Sequence, residues 1–263
     1  MATPYLYLSR MTGTISMKHM LCPVFTIFLL VGCLQTDPYT SPNEKKSVVV
    51  DDDNEGIVLK EEEVTNKAKE TWISLFDGKT LTNWTVPVYG GDGIVEIDEG
   101  HIVIGRGELM TGLRYDKEFP KIDYEIRYEA KRTEGYDFFG ACTFPVNESF
   151  CTLVNGGWGG GLTGLSSIDG YDASENSTST YCDYKSNTWY RLRILVTDEK
   201  IQVWLTGQDK EENWETEESV VEFEREERSL STRFEMDKYK PLGFSTWGTG
   251  AQLRNIEYRK IDR

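Results

Sequence analysis

Ile122-Asp123-Tyr124-Glu125-Ile126-Arg127-Tyr128-Glu129-Ala130-Lys131 alternates apolar and charged side chains without a break. Successive side chains of a strand point to opposite faces. This period of two therefore puts Ile122, Tyr124, Ile126, Tyr128 and Ala130 on one buried face and the charged residues on a wet one. Tyr190, Leu192, Ile194 and Val196 repeat the pattern. Thr197-Asp198-Glu199-Lys200 then turns the chain, and Ile201, Val203 and Leu205 carry it back, which predicts a long β-hairpin.

Shorter strands are predicted on both sides of these two: Trp72 to Phe76, Trp84 to Val88, Ile94 to Ile97, His101 to Gly105, Phe138 to Val146, Phe150 to Val154, Leu242 to Trp247 and Leu253 to Ile261. Asp77-Gly78, Gly90-Gly91-Asp92-Gly93, Glu99-Gly100, Pro145 and Pro241-Leu242-Gly243 punctuate them as turns. No stretch reads as an amphipathic helix of more than two turns. Many short strands with an aromatic core predict one all-β domain over residues 71–263, a two-sheet β-sandwich of jelly-roll type. The charge run Glu222 to Arg228 reads as a solvated edge that discourages strand addition.

The N-terminal segment has a different composition. Met17-Lys18-His19 followed by the apolar run Met20 to Val31 has the n-region and h-region of a secretory signal, and is too short for a membrane span. It ends at Leu30-Val31-Gly32-Cys33, which resembles a bacterial lipobox. Residues 1–33 are thus expected to be a signal peptide, with Cys33 the lipidation site. Residues 34–70, with Asp51-Asp52-Asp53 and Glu61-Glu62-Glu63, are polar and acidic and read as a disordered spacer. Together these predict a lipid-anchored protein of the cell envelope, periplasmic or at the outer membrane, touching the membrane only through its anchor.

Composition excludes several functions. With 29 Lys+Arg against 44 Asp+Glu the net charge is -15, and no basic cluster is present to release phosphate counterions, so nucleic acid is not an expected partner. There are 2 histidines, His19 and His101. A three-His zinc site is therefore impossible, and a Ser-His-Asp triad would have to use His101, which sits at an ordinary strand start. Carboxylate, Tyr, Lys or Ser chemistry remains, or binding without catalysis. Cys142, Cys151 and Cys182 are an odd set. Cys142 and Cys151 flank a turn and could lie on paired strands as a disulfide, or all three could be reduced packing residues.

Trp72-Ile73-Ser74-Leu75-Phe76-Asp77-Gly78-Lys79-Thr80-Leu81-Thr82-Asn83-Trp84 resembles the opening of the 3-keto-disaccharide hydrolase domain family. Glu99 to Gly105, Trp189 to Ile194 with Ile201 to Leu205, and Leu253 to Ile256 fit the same pattern. The resemblance implies a concanavalin A-like jelly roll, with Phe76 and Trp84 as core anchors and Asp77-Gly78 as a turn. It also implies cleavage of glycosides already oxidised at C3. The family's Glu-x-Gln-x-x-Asp strand has no counterpart in Phe150 to Asn155, which carries no carboxylate. A non-catalytic glycan-binding module on the same fold is therefore the alternative function.

The central segment holds the candidate chemistry. Gly156-Gly157-Trp158-Gly159-Gly160-Gly161 would leave the Trp158 indole standing over bare backbone as a platform for a sugar face, or would serve a tightly curved strand with Trp158 in the core. Asp169, Asp172, Glu175 and Asn176 follow, and Tyr136-Asp137 lies at an earlier strand edge. A C3 ketone acidifies the C2 proton. Asp137, Asp169, Asp172 and Glu175 are therefore candidate acids and bases, while Tyr136, Trp158, Asn176 and Trp247 are candidate carbohydrate contacts. Asp, Asn and backbone oxygens would equally suit a divalent cation such as calcium, or an Asx-turn cluster.

Overall fold

The computed structural model describes residues 71–262 apart from 210 and 212. The signal peptide of residues 1–33, the lipidation site Cys33 and the acidic spacer of residues 34–70 lie outside the described residues. In chain order the strands are β1 (Ile73–Ser74), β2 (Trp84–Thr85), β3 (Val95–Asp98), β4 (His101–Ile104), β5 (Met110–Tyr115), β6 (Tyr124–Glu134), β7 (Phe139–Val146) and β8 (Ser149–Gly157). They continue as β9 (Leu162–Ser166), β10 (Thr180–Tyr181), β11 (Trp189–Val196), β12 (Lys200–Gly207), β13 (Glu218–Glu224), β14 (Leu242–Trp247) and β15 (Gly250–Lys260). A 3-10 turn, Phe234–Tyr239, precedes β14.

The strands form two antiparallel sheets, ordered β13-β12-β11-β6-β15-β4-β3, with β1 also paired to β15, and β10-β9-β8-β7-β14-β5-β2. This is the all-β sandwich expected from the alternation. Tyr124, Ile126, Tyr128 and Ala130 are fully buried, and they stand opposite Val196, Ile194, Leu192 and Tyr190 in register. A one-residue slip would turn every one of them outward. Tyr128 reaches across the sandwich to Phe244 of β14, with ring centroids 4.8 Å apart. The hairpin turn is closed by Thr197 N–H donating to the Lys200 carbonyl at 2.9 Å. Phe76 and Trp84 are buried, and Asp77 Oδ1 accepts from the N–H groups of Lys79 and Thr80.

The outer face of β6 is not wet, which corrects the simplest reading of the alternation. Glu125 and Glu129 are buried. Arg193 and Arg259 clasp Glu125, and Arg191 and Arg254 clasp Glu129, at 2.5–2.7 Å. Trp72 packs against the guanidinium groups of Arg127 and Arg259, and Trp189 against Arg254. Periodicity specifies the face a residue takes, while pairing decides whether its charge can be covered.

Burial alone would raise the Glu129 carboxyl, but the hydrogen bonds from Arg191 and Arg254 outweigh it and hold the group below its ordinary 4.5. Glu129 therefore stabilises the fold above that value and loses its contribution as pH falls through the lowered one. Glu129→Ala should cost ~2–3 kcal/mol in urea unfolding at pH 7, with the difference from wild type shrinking in acid. An unchanged midpoint at pH 7 would contradict this account.

Sequence reasoning missed β5, β9, β10 and the strand character of β13. The first two are buried almost throughout, and a strand covered on both faces has no alternation to read. The charge run does begin on an edge strand, since β13 ends the first sheet.

Cys142 and Cys151 lie on adjacent strands but not opposite one another; Cys142 faces Leu153 and Cys151 faces Phe144. The three cysteines among the described residues are free thiols, with Cys142 and Cys151 buried. Burial pushes the Cys142 thiol well up and that of Cys151 to about 12, which makes both inert. Iodoacetamide should label Cys182 in the native protein and the other two only after unfolding, read by peptide mass spectrometry. A Cys142–Cys151 crosslink in the same spectra would contradict that assignment.

Candidate functional site

Small residues on the outer face of the second sheet decide where the site forms. A Cβ on Gly243 would lie 2.6 Å from the Tyr239 carbonyl oxygen, and one on Gly112 would lie 2.8 Å from the Tyr239 ring. These two glycines let the 3-10 turn Phe234–Tyr239 lie directly on the sheet. Tyr239 is fully buried there. Tyr89 stacks on it at 5.8 Å and donates its hydroxyl to the Glu235 carbonyl at 2.5 Å. Ser245 Oγ touches Met236 Sδ at 3.6 Å. Gly243→Val would drive this turn off the sheet. We expect a loss of ~1–3 kcal/mol in stability together with loss of ligand affinity, and affinity that persisted would show that the turn is not part of the site.

The turn closes one side of a cavity of about 180 Å³. Met110, Phe138, Val154 and Met236 supply its apolar lining, Trp158 and Trp247 its aromatic one, and Asp137, Asp172, Arg233 and Glu235 its charges.

Asp137 lies two residues before β7, and its Oδ1 accepts the N–H of Phe138 at 2.8 Å. The Trp158 and Gly159 N–H groups also bond to it, yet burial dominates and raises its carboxyl above the ordinary 3.8. Asp172 is held differently. It accepts from Ser166 Oγ, from Ala173 N–H at 2.9 Å and from Arg233 Nη1 at 2.5 Å. Arg233 also donates through Nε and Nη2 to Glu235, at 3.3 and 3.2 Å. These partners, Glu235 first and then Asp172, strengthen its hold on its proton. Three of the five guanidinium N–H groups are thereby used, leaving two for a ligand.

The sequence candidates divide between this cavity and its surroundings. Asp137, Asp172, Trp158 and Trp247 line it. Asp169 does not; it accepts from Arg228, and from Ser229 N–H and Oγ at 2.8 and 3.1 Å, stapling two loops together. The Ser229 N–H, followed by Arg228, lowers its carboxyl.

Glu175 is exposed on a turn closed by its own N–H to the Asp172 carbonyl. Asn176 is consumed internally. Its Nδ2 donates to the carbonyls of Leu165, Tyr171 and Asp172, and its Oδ1 accepts from Thr178 N–H and Oγ1. Tyr136 is solvent-exposed beside Asp137.

Trp158 is not a core residue. It is half exposed at the β8–β9 turn, with φ of 48° and Gly159 and Gly160 also at positive φ. The glycines therefore both turn the chain and uncover the indole. His101 belongs to the other sheet and packs on Trp189 at 5.1 Å. Among the described residues no group of three or more His, Cys, Asp or Glu side chains could hold a metal ion.

Arg233 and Glu235 escaped sequence reasoning. They sit in a connection with no periodicity, and only the packing of Tyr239 on Gly112 and Gly243 returns them to Asp137 and Asp172.

The cavity, with its acids, its arginine and its two tryptophans, lies on one sheet of the β-sandwich. The model of the 3-keto-disaccharide hydrolase family, described as the 3-keto-alpha-glucoside-1,2-lyase-like domain, matches residues 71–259, and the chain belongs to that family. No curated protein matches it.

Among solved structures it is similar to a protein from Parabacteroides distasonis crystallised as a candidate glycosyl hydrolase, at 14% identity and a TM-score of 0.43, covering 73% of this chain and 95% of that one. It is also similar to the carbohydrate-binding module CBM66 from Bacillus subtilis, at 11% identity and TM-score 0.41, covering 68% and 96%. The lectin UEA-II in complex with galactose follows at 9% identity and TM-score 0.45, covering 69% and 94%.

Proposed function

We propose that the domain cleaves 3-keto-glycosides by carboxylate acid–base chemistry. The observation that carries this reading is the pairing, in one small cavity, of a carboxyl raised by burial, Asp137, with an arginine that has spare donors, Arg233. A ketone at C3 makes the C2 hydrogen acidic. Asp137 takes that proton, the electron pair moves to the C3 oxygen as an enolate, and Arg233 stabilises the negative charge there. Collapse of the enolate breaks the C1–O bond, and the departing oxygen takes a proton from an acid. Asp137, protonated in the first step, is that acid and so returns to its ionised form, while Glu235, like Asp172, stays paired to Arg233. Addition of water across the resulting C1=C2 bond gives the free 3-keto sugar.

Asp172, charge-paired to Arg233 and bonded to Ser166, fixes the guanidinium rather than moving protons. Trp158 offers a ring face to the sugar's C–H groups. Trp158→Ala should weaken affinity for the oxidised glycoside by about tenfold while leaving the melting temperature within a few degrees, measured by calorimetry. Undiminished affinity in a folded variant would remove Trp158 from the site.

The alternative is a glycan-binding module without turnover. Strand β8 favours it, because Phe150 to Asn155 carries no carboxylate where the family's acidic strand pattern would lie. The two readings separate on a 3-keto-disaccharide: product release supports the enzyme, and affinity without release supports the module. We further propose, from the lipobox-like sequence at Cys33, that the domain works tethered at the cell envelope. Labelling by radioactive palmitate that is abolished in Cys33→Ala would support this, and label surviving the substitution would contradict it.

A further inference from the structure

A cavity of about 180 Å³ is smaller than the roughly 300–1,000 Å³ of sites that enclose drug-sized ligands. It has room for one pyranose ring. A glycoside contains at least one further unit, so whatever is bonded across the scissile linkage must leave through the mouth and lie on the surface around it.

Near the cavity's lining residues in the chain stand aromatic side chains that the fold leaves in water. Tyr136, Phe234 and Tyr171 are 82%, 78% and 59% exposed, and Trp158 is 46% exposed. Trp158 lines the cavity, and the other three are chain neighbours of residues that line it. Tyr136 precedes Asp137, Tyr171 precedes Asp172, Phe234 lies between Arg233 and Glu235, and Trp158 is itself lining. These side chains gain little from folding. The backbone is held at two of them. The Tyr171 N–H and carbonyl both pair with Ile168, and the Met236 N–H donates to the Arg233 carbonyl across Phe234. Rings that stay in water on anchored backbone, beside a ligand cavity, are features of a binding surface. The cavity lining itself includes Asp137, Asp172, Arg233 and Glu235, which suits a ligand with hydroxyls as well as apolar faces more than a wholly apolar one.

We propose that Tyr136, Tyr171, Phe234 and Trp158 form an extension site for sugar units beyond the scissile bond. The preferred substrate is then an oligosaccharide of three or more rings, oxidised at C3 of the terminal ring that enters the cavity. This rests on the proposed function and deepens it. The cavity selects the oxidised ring, and the aromatic collar selects the length of what is attached to it.

The test is a ladder of glucose oligosaccharides of two, three and four rings carrying a 3-keto terminal unit. Initial rates give kcat/KM, and calorimetry gives Kd in parallel. We expect kcat/KM to rise about tenfold or more from two to four rings and Kd to fall by a similar factor, one well-placed ring contact being worth about that much. In the Tyr136→Ser/Phe234→Ser double variant the four-ring to two-ring ratio should collapse towards one. Both side chains are solvent-exposed, so the melting temperature should hold and report that the fold is intact. Ratios near one in the wild type, or a length dependence that survives the double substitution, would overturn the collar. Exposed rings that mediate self-association instead would give flat ratios and a dimer, seen by light scattering, that the double variant abolishes. Absence of turnover on every member would overturn the enzymatic reading, and the Kd ladder would then decide the extension site by itself.

Discussion

Asp137→Asn should lower the rate of 3-keto-glycoside cleavage by roughly 10²–10⁴-fold, the range a positioned general base supplies. Asn keeps the size of the side chain and an oxygen able to accept the Phe138 N–H that Asp137 Oδ1 now accepts at 2.8 Å, so geometry is preserved while basicity is removed. The sign of the pH dependence follows from burial. Asp137 is raised above 3.8, and the ionised form is the base, so the wild-type rate should climb as pH passes through that raised value and the variant should lack this limb.

Stability moves the other way. A carboxyl whose folded value is raised is fully stabilising only below its unfolded value, and it loses that contribution as pH rises through the folded one. At neutral pH, therefore, Asp137 costs stability. Asp137→Asn should melt at the same temperature as the wild type or higher at pH 7, and the difference should disappear in acid. Activity lost together with a lower melting temperature would point instead to a structural role.

Arg233→Met should reduce kcat by about 10²–10³-fold, the usual effect of removing one donor aimed at developing negative charge. The ground-state consequence is separate. Asp172 and Glu235, now both bonded to the guanidinium, would be left mostly buried and without their cation, which also destabilises the turn Phe234–Tyr239. Arg233→Lys divides the two effects. It restores a positive charge but cannot form the two-pronged contact to Glu235 or keep two donors free. The lysine variant should recover most of the lost stability and only a small part of kcat. A lysine variant that regained full kcat would show that charge alone suffices and that the guanidinium geometry carries no catalysis.

The fold was legible because its central strands are covered on one face by core and on the other by charge, so Tyr124 to Ala130 and Tyr190 to Val196 state their own register. Strands buried on both faces, such as Met110–Tyr115 and Leu162–Ser166, gave no such signal. The candidate site was legible in part. Asp137, Asp172 and Trp158 were named from residue type and glycine context, Trp247 from residue type alone, and the four line one cavity. Asp169, Glu175 and Asn176 have the same composition but are turned to loop construction, because an Asx side chain serves a neighbouring N–H as readily as a ligand. Arg233 and Glu235 belong to a segment without periodicity. What brings them to the cavity is a contact between Tyr239 and two glycines more than a hundred residues apart in sequence, and no local pattern encodes it.

Oxidation at C3 is what should make a sugar a substrate for this cavity. The most direct test is to incubate the protein with a 3-keto-disaccharide and, separately, with its unoxidised parent in deuterated water, following product release and C2 exchange by NMR. Release of the 3-keto sugar, with C2 deuterium incorporated, is expected from the oxidised compound, and no cleavage of the parent. Equal cleavage of both, or binding of the oxidised compound with neither release nor exchange, would contradict it.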